Sequence, residues 1–394
     1  MDPQSLRNPV DRAMAQALLE DPQIQQMSAL VADAGGNTRR SLLAQALRLT
    51  PQIAPELHEV LDHCVRTLKV DTELEVYVYA APQFNAGCTS PENGRVFLLL
   101  TASLLEAFDT PELTFVIGHE LGHHIYEHHR IPLQAFQQGS GVAARTLLKG
   151  HAWLRQAELS ADRAGLLCTG SLSGALRSFF KLSSGMRQAP GPEQVAAYMR
   201  QAEELYREDE SLGRGASVMD WMSTHPFSPV RMRAAEAFSH SEVMRPQGTP
   251  MPEMEAQVQG LMGLMEASYL EEDSEGAEAM RRLLFAAGAV LGGSDGELSR
   301  VEVQALAGLL GHDRVPRTLD PERLKEVLPE RIERVVALVA PPKRVQLIRD
   351  LCHIAQADER VHEQERVFIR HLAQRLGVQP SVADMALCEQ AGLD

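Results

Sequence analysis

Apolar residues recur at two different spacings along the first hundred residues of the chain. In "RSLLAQALRL" and "IAPELHEVLDHCVRTLKV" they return every three or four positions, which predicts helices over most of residues 1 to 68. In "LEVYVYA" (74–80) and "RVFLLL" (95–100) β-branched and aromatic residues dominate, which predicts two strands. The turn-forming segment "APQFNAGCTSPENG" separates them, so we expect an antiparallel hairpin with a long connection.

The segment "TPELTFVIGHELGHHIYEHH" predicts a buried helix. Thr110 is a suitable N-cap, and Pro111 fits the first helical position. Apolar residues then surround nearly the whole helix circumference, which is typical of a helix packed on all sides. A second helix is predicted from about 143 to 168, and further helices follow to about 207.

The composition changes at "SHSEVMRPQGTPMPE" (239–253), where three prolines and a glycine predict a linker. The remaining residues predict an all-helical region with an internal repeat. Asp295 and Asp358, and likewise Glu302 and Glu365, are each separated by 63 positions. Two copies indicate a pseudo-symmetric helical domain and not a solenoid. These acids can be metal or partner sites, but helix-start roles are favoured, because a calcium site needs six or more oxygen ligands.

The charge and the cysteines narrow the possible partners and compartments. The net charge is -15, with 53 acidic and 38 basic residues, which disfavours nucleic acid as a partner. The five cysteines form no Cys-x-x-Cys pair, which predicts free thiols in a reducing compartment. The N-terminus has no apolar signal region, and the longest apolar runs are far shorter than the ~20 residues of a membrane helix. We therefore expect a soluble cytoplasmic protein that does not insert into a membrane.

Five histidines and two glutamates occupy the eleven positions from 119 to 129. His119 and His123 are four residues apart, so on a helix they project from one face and can bind one zinc ion. Glu120 is displaced by about 100° around the helix and is positioned to accept a proton from water. This is the His-Glu-x-x-His motif, in which zinc lowers the pKa of its bound water to ~7 and the glutamate is the general base.

A third ligand is expected from the second helix. Glu158 follows His123 by 35 residues in "AELSADRAG", and Asp162 lies one turn further along. Asp162 can accept a hydrogen bond from His119 and fix its tautomer. Two histidines and one carboxylate leave a coordination position open, which indicates one catalytic zinc per chain.

An inverted His-x-x-Glu-His motif overlaps the first one. His124, Glu127 and His128 form it, but their face of the helix differs by about 140° from that of the first pair. We expect His124, His128 and His129 to be cations near the helix C-terminus, where the dipole favours positive charge. The apolar stretch "FVIG" before His119 favours the first motif, because buried ionisable groups must be paired or bound to metal.

Four segments resemble, in order, the gluzincin metallopeptidases of the CAAX prenyl protease and HtpX-like family. They are "FNAGC", "ELTFVIGHELGHHIYEH", "ELSAD" and "STHPFSPVRMRA", within residues 45–240. The resemblance implies an α+β fold: a mainly helical zincin-like domain with a small antiparallel sheet, followed by an all-α domain. It implies a zinc metalloendopeptidase with His119, His123 and Glu158 as ligands and Glu120 as base.

The resemblance also implies how substrate is held. A peptide or protein substrate would lie along an edge strand near Asn85 and Ala86, held by backbone hydrogen bonds. His225 and Arg231 would lie near the cleft and steady the oxyanion. Otherwise His225 is a turn residue before Pro226, and Arg231 is an exposed helix residue, which is the favoured interpretation for the arginine.

The C-terminal part, in "IAQADERVHEQERVFIRHLAQRLGV", resembles the TerB-like tellurite-resistance domain. The expected domains are a helical extension at 1–44, the peptidase at 45–240, a linker at 241–253 and the TerB-like domain at 254–394. The last is expected to regulate the peptidase or to dock a protein partner. Two other hypotheses remain: a closed zinc-binding scaffold in which His225 occupies the fourth zinc position, and a hydrolase that uses the inverted motif.

Overall fold

The computed structural model describes residues 2–34, 37–132, 144–212, 225–262, 275–292, 321–339, 341–355 and 361–388. They separate into two units, of which the first comprises residues 1–142, 149–202 and 223–262. The second unit contains residues 143–148, 203–222 and 263–394. We describe each unit by itself.

Helices make up most of the described chain, and four strands lie between them. Up to residue 132 the elements are a 3-10 helix (Pro3–Leu6), α1 (Pro9–Leu19), α2 (Pro22–Ala34), α3 (Thr38–Gln45), β1 (Leu47–Leu49), α4 (Pro55–Leu68), β2 (Glu73–Tyr79), β3 (Ala86–Cys88), β4 (Arg95–Thr101), α5 (Ala102–Ala107), α6 (Thr110–Ile125) and a 3-10 helix (His128–Arg130). The later helices are α7 (Ala144–Thr169), α8 (Leu172–Ser184), α9 (Pro192–Leu212), α10 (Ser228–Ser239), α11 (Met251–Met262), α12 (Glu275–Gly292), α13 (Pro321–Leu338), α14 (Pro341–Ala355), α15 (Glu363–Arg375) and α16 (Pro380–Cys388).

The sheet is mixed, with the strand order β1-β2-β4-β3. Strands β2 and β4 pair in parallel, from Glu73 opposite Arg95 onwards, so the antiparallel hairpin expected from these two strands is wrong. The hairpin partner of β4 is β3, which lies in the segment interpreted as a turn. Asn93 (φ 52°) and Gly94 (φ 76°) make the reversal between them. Asn-Gly is a strong hairpin signal, because both residues tolerate a positive φ.

The predicted α+β class is confirmed: a mainly helical unit with a small sheet is followed by helices. In the first unit, the sheet, α4, α6 and α7 share one core. Its buried members are Leu49, Leu57, Val60, Leu61, Cys64, Leu68, Val76, Leu98, Leu100, Ile117, Leu121, Tyr126, Ala164 and Cys168. Helix α6 therefore lies inside the unit, as its all-round apolar pattern predicted.

Helices α6 and α7 approach each other closely because small residues face each other where they cross. A Cβ added at Gly122 would lie 2.8 Å from the Ala164 Cβ and 3.0 Å from the Ala161 Cα. A Cβ added at Gly118 would meet the Cys168 side chain at 2.8 Å. This close approach sets the distance between the polar side chains on the two helices.

The first unit extends past the predicted linker. Helix α11 begins at Met251 and buries Met254, Val258 and Met262, and the unit runs to Met262. The boundaries of the extension (1–44), the peptidase (45–240), the linker (241–253) and the TerB-like domain (254–394) remain predictions.

The second unit has its own hydrophobic core, formed by helices α12 to α16. Buried side chains from these helices include Leu283, Leu284, Val335, Ile348, Leu351, Ile369 and Leu372. Asp295, Glu302 and Asp358 of the internal repeat lie outside the described residues. Glu365 is buried, and its carboxylate accepts a hydrogen bond from the His362 backbone N–H, which agrees with a helix-start role.

Across the described ranges, no helix combines the length and the apolar character needed to cross a membrane.

Candidate metal centre

Helix α6 carries the histidine-rich segment and has a defined start. Asp109, not Thr110, is its N-cap: the Asp109 carboxylate accepts from the Glu112 N–H, and the Glu112 carboxylate accepts from the Asp109 N–H. Pro111 lies in the first turn as predicted. The helix ends at Ile125, well before the last histidines of the segment.

His119 and His123 on α6 converge with Glu158 on α7. The two Nε2 atoms are 3.2 Å apart. The Glu158 carboxylate lies 3.5 Å from Nε2 of His119 and 3.4 Å from Nε2 of His123. One ligand atom from each of the three residues lies within 4.8 Å of the other two. Among the described residues, this is the one group of at least three histidine, cysteine or acidic side chains placed to hold a metal ion. His119 and Glu158 are buried, and His123 is partly buried.

These distances fit a zinc ion. Two ligand atoms bound at ~2.0–2.1 Å to a tetrahedral zinc lie roughly 3.3 Å apart. The two Nε2 atoms are 3.2 Å apart, and each faces a different oxygen of Glu158: His119 lies 3.5 Å from Oε2, and His123 lies 3.4 Å from Oε1. Oε2 of Glu158 is buried and makes no hydrogen bond within the described structure, although it lies 3.1 Å from the Arg231 guanidinium. Two imidazoles and one carboxylate are also a donor set that zinc prefers.

Asp162 lies one turn beyond Glu158 and contacts His119. Its Oδ1 accepts from Nδ1 of His119 at 2.9 Å. Arg231 of α10 donates to both oxygens of Asp162, at 2.6 and 2.9 Å. Arg231 is 9% exposed, so the interpretation of this arginine as an exposed helix residue is wrong. The guanidinium is buried because two carboxylates compensate its charge.

The carboxylates are ionised despite their burial. Burial alone would raise the pKa of Glu158, but the charges of His225 and Arg231 hold that pKa well below its usual value. Asp162 shows the same balance, and its pKa is lowered mainly by Arg231. Burial opposes a charged His123, yet the hydrogen bond and the charge of Glu158 raise the pKa of His123. The carboxylate thus favours positive charge at the point where the ligand atoms meet.

The remaining histidines do not form the inverted motif. Helix α6 ends before Glu127, which is exposed and has φ 56°. His124 contacts Thr72 and His129, whereas His128 contacts His123. The cationic state predicted for them is also wrong: burial lowers the pKa of His124 and His129, and lowers that of His128 to about 4.

The predicted substrate strand lies beside α6. Ala86 begins β3, which is the edge strand at one end of the sheet and contacts α6. Asn85 precedes it; its backbone exchanges hydrogen bonds with Thr101, and its side chain donates to the Tyr79 hydroxyl at 3.2 Å. Burial and the negative charge of Glu120 raise the pKa of Cys88 in this strand, so Glu120 lies near the edge strand.

His225 lies near the ligand group and is more than half exposed. Its Nε2 is 3.4 Å from Oε1 of Glu158. Sequence reasoning missed two further residues at the site. His128 was interpreted as a cation near the helix C-terminus. Asp11 contacts His128 but lies 117 positions away in the sequence, and no local motif indicates it.

A model of peptidase family M48 matches residues 51–239, and a model of the tellurite resistance protein TerB matches residues 281–387. The chain contains an M48 peptidase domain joined to a TerB domain. It is 26% identical over 264 residues to the plastoglobule-localized metallopeptidase 48, chloroplastic, of Arabidopsis thaliana, over 61% of this chain and 74% of that protein.

A second relative covers a much shorter region. The chain is 32% identical over 68 residues to a protease HtpX homolog of Helicobacter pylori, over 17% of this chain and 22% of that protein. No solved structure matches the chain. The predicted family and the fusion to TerB are confirmed, and the M48 domain is that of a metalloprotease.

Proposed function

We propose that the M48 domain is a zinc metalloendopeptidase with one zinc ion bound by His119, His123 and Glu158. The observation that carries this proposal is the convergence of both Nε2 atoms and the Glu158 carboxylate at zinc-ligand spacing. The three ligands leave a coordination position for water, which is typical of a catalytic site.

Zinc held there would act as a Lewis acid and lower the pKa of a coordinated water to ~7. Glu120 follows His119 on α6, and its negative charge acts on His123 and Cys88. It accepts a proton from the attacking water and later gives it to the leaving nitrogen. Asp162 holds His119 in the tautomer whose Nε2 carries a lone pair, because Nδ1 donates to the carboxylate.

A peptide or protein substrate would add to the sheet beside β3, near Asn85 and Ala86. An edge strand offers free backbone hydrogen-bonding groups, and this mode depends little on the substrate sequence. The contact between β3 and α6 would bring such a peptide to Glu120. Arg231 holds Asp162 and Glu158, so we assign it to the support of the ligands and not to the binding of substrate.

His225 is compatible with two functions. As a donor it would stabilise the oxyanion that forms on the scissile carbonyl. As a fourth ligand it would close the site and leave a zinc-binding scaffold. Its Nε2 lies 3.4 Å from Oε1 of Glu158, close enough for either role.

The decisive experiment measures zinc content and casein cleavage for wild type and Glu120→Gln. The expected result is one zinc per chain in both proteins and a loss of cleavage of about 10²–10⁴-fold in the variant, because only the base is removed. Cleavage that survives in Glu120→Gln would contradict the mechanism, and wild type without zinc would contradict the metal site.

The closed scaffold is tested with His225→Ala. If wild type binds zinc but does not cleave, and His225→Ala cleaves, then His225 closes the site. If His225→Ala binds zinc and cleaves less than an active wild type, His225 assists catalysis.

The TerB domain has a core of its own, which supports a separate role in docking a protein partner or regulating the peptidase. We propose that the TerB domain docks a protein partner or regulates the peptidase, and that the protein is cytoplasmic.

A further inference from the structure

A second pair of hydrogen bonds leads from the metal ligands into the core of the first unit. Nδ1 of His123 lies 2.8 Å from Nδ1 of His128. Nε2 of His128 lies 3.1 Å from Oδ2 of Asp11, which comes from helix α1. His128 is 2% exposed and Asp11 is fully buried, so water does not compete for these contacts.

Asp11 is a carboxylate that can only accept. Arg7 donates to both of its oxygens at 2.8 and 3.0 Å, Trp153 Nε1 donates at 2.9 Å, and Ser160 Oγ donates at 2.6 Å. The bidentate ion pair with the Arg7 guanidinium favours the ionised carboxylate, which has no proton to donate. His128 must therefore donate its Nε2–H to Asp11.

This donation decides the state of the next ring. In its neutral form the His128 ring carries one proton, and the contact with the Asp11 carboxylate places that proton on Nε2. With that proton on Nε2, its Nδ1 can only accept. Nδ1 of His123 must then donate, and in the neutral His123 ring this leaves a lone pair on Nε2. That nitrogen is the one that faces Nε2 of His119 and the Glu158 carboxylate.

We propose that Asp11 and His128 are positioning residues that fix the tautomer and the ring orientation of His123 as a metal ligand. The proposal rests on the proposed zinc site. It gives each ligand histidine its own buried acceptor, Asp162 for His119 and His128 for His123. It also makes helix α1, from the predicted N-terminal extension, part of the metal centre.

Helix α1 is fixed to α7 by contacts that hold Asp11 in place. The Asn8 N–H donates to Ser160 Oγ at 3.0 Å, and Asn8 Nδ2 donates to Gln156 Oε1 at 2.7 Å. The Asn8 side chain also accepts from the Val10 N–H and so caps the helix. Glu158 and Asp162 lie on the same helix as these partners, so α7 carries the metal ligand and also anchors the support of His123.

The test compares His128→Leu with His128→Gln in the full chain. Leucine cannot accept from His123, whereas the glutamine carbonyl oxygen can. Zinc affinity, measured by competition with a chelator, should fall about 10–100-fold in His128→Leu and recover largely in His128→Gln, since loss of such partners has that effect on metal binding. Ser178→Ala is the control, because this buried hydroxyl of the first unit contacts neither the ligands nor His128.

A second readout needs no bound metal. Imidazole ¹⁵N NMR of the zinc-free wild type should show His128 protonated on Nε2 and His123 protonated on Nδ1. If His128→Leu does not fold, His128→Gln and these spectra decide the question.

The outcomes separate this proposal from the proposed function. Zinc binding by His128→Leu as tight as in wild type, with loss of zinc in His119→Ala, would overturn the positioning role and leave the metal site intact. A His128 ring protonated on Nδ1 would overturn it as well. If wild type binds no zinc, the proposed function fails, and the tautomers still decide whether His123 is held as described.

Discussion

Replacement of Gly122 by alanine tests whether the close approach of α6 and α7 creates the metal site. The added Cβ would lie 2.8 Å from the Ala164 Cβ and 3.0 Å from the Ala161 Cα. Carbon atoms in contact are normally ~3.5–4.0 Å apart. One of these neighbours is a backbone atom, which cannot move aside by rotating a side chain. The helices must therefore separate locally by roughly 0.7 Å or more, the difference between 2.8 Å and a normal contact of ~3.5 Å.

The separation acts directly on the ligands, because His119 and His123 lie on one helix and Glu158 on the other. Their contacts of 3.4 and 3.5 Å would lengthen to about 4 Å, whereas metal-ligand distances tolerate about ±0.2 Å. Overpacking costs about 1–3 kcal/mol. The better helix propensity of alanine offsets about 1 kcal/mol of that cost. We therefore expect a small loss of stability and a large loss of zinc affinity.

Chelator competition measures the zinc affinity, and thermal unfolding with the metal removed measures the stability. Gly191→Ala is the control, because among the described residues an added Cβ there meets Gln194 Oε1 at 3.7 Å, an ordinary van der Waals contact. The control should bind zinc like wild type and be equally or more stable. Zinc binding by Gly122→Ala equal to that of the control would refute the argument that the crossing of the two helices sets the ligand spacing.

Two further predictions concern buried charges elsewhere in the chain. Glu112→Gln should cost about 3–5 kcal/mol of unfolding free energy, because it leaves the buried Lys181 ammonium without its carboxylate partner at 2.7 Å. Glu106→Gln is the control: it removes an exposed ion pair with Arg187 and should cost less than about 1 kcal/mol of unfolding free energy. If urea unfolding shows the same cost for Glu112→Gln and Glu106→Gln, the burial argument is contradicted. Burial raises the pKa of Asp350 well above its usual value, so the folded state retains a proton that the unfolded state releases, and stability falls as the pH rises above ~4. Asp350→Asn should raise the Tm of the second unit at neutral pH and reduce the fall of Tm with rising pH. A pH profile of Tm that is the same in Asp350→Asn and wild type would contradict this prediction.

Local patterns were sufficient for several parts of the structure. The four-residue spacing of His119 and His123 predicted two ligands on one helix face, and that spacing holds because an α-helix turns once in 3.6 residues. Glu158 and Asp162 were predicted on one face of a second helix for the same reason, and both contact His119 in the structure. The apolar circumference of α6 predicted its burial. In the C-terminal part, Glu365 was expected at a helix start and lies there.

Other features depend on residues that are distant in sequence. The strand pairing was wrong because an alternating pattern gives no direction, and the partner of β4 is a three-residue strand inside a segment of turn-forming residues. Arg231 was expected to be exposed, since nothing nearby in sequence compensates a buried guanidinium. Only the packing of α10 on the site brings it to Asp162 and Glu158.

The sequence by itself predicted which side chains converge as candidate metal ligands, because ligand chemistry and helical periodicity are local properties. The tertiary structure decided how those residues are held. His128 was expected to be a cation at a helix end, but burial in the fold lowers its pKa to about 4, and it contacts Asp11 from the start of the chain. A tautomer depends on the partner of each ring nitrogen, and that partner is set by long-range packing that no local pattern contains.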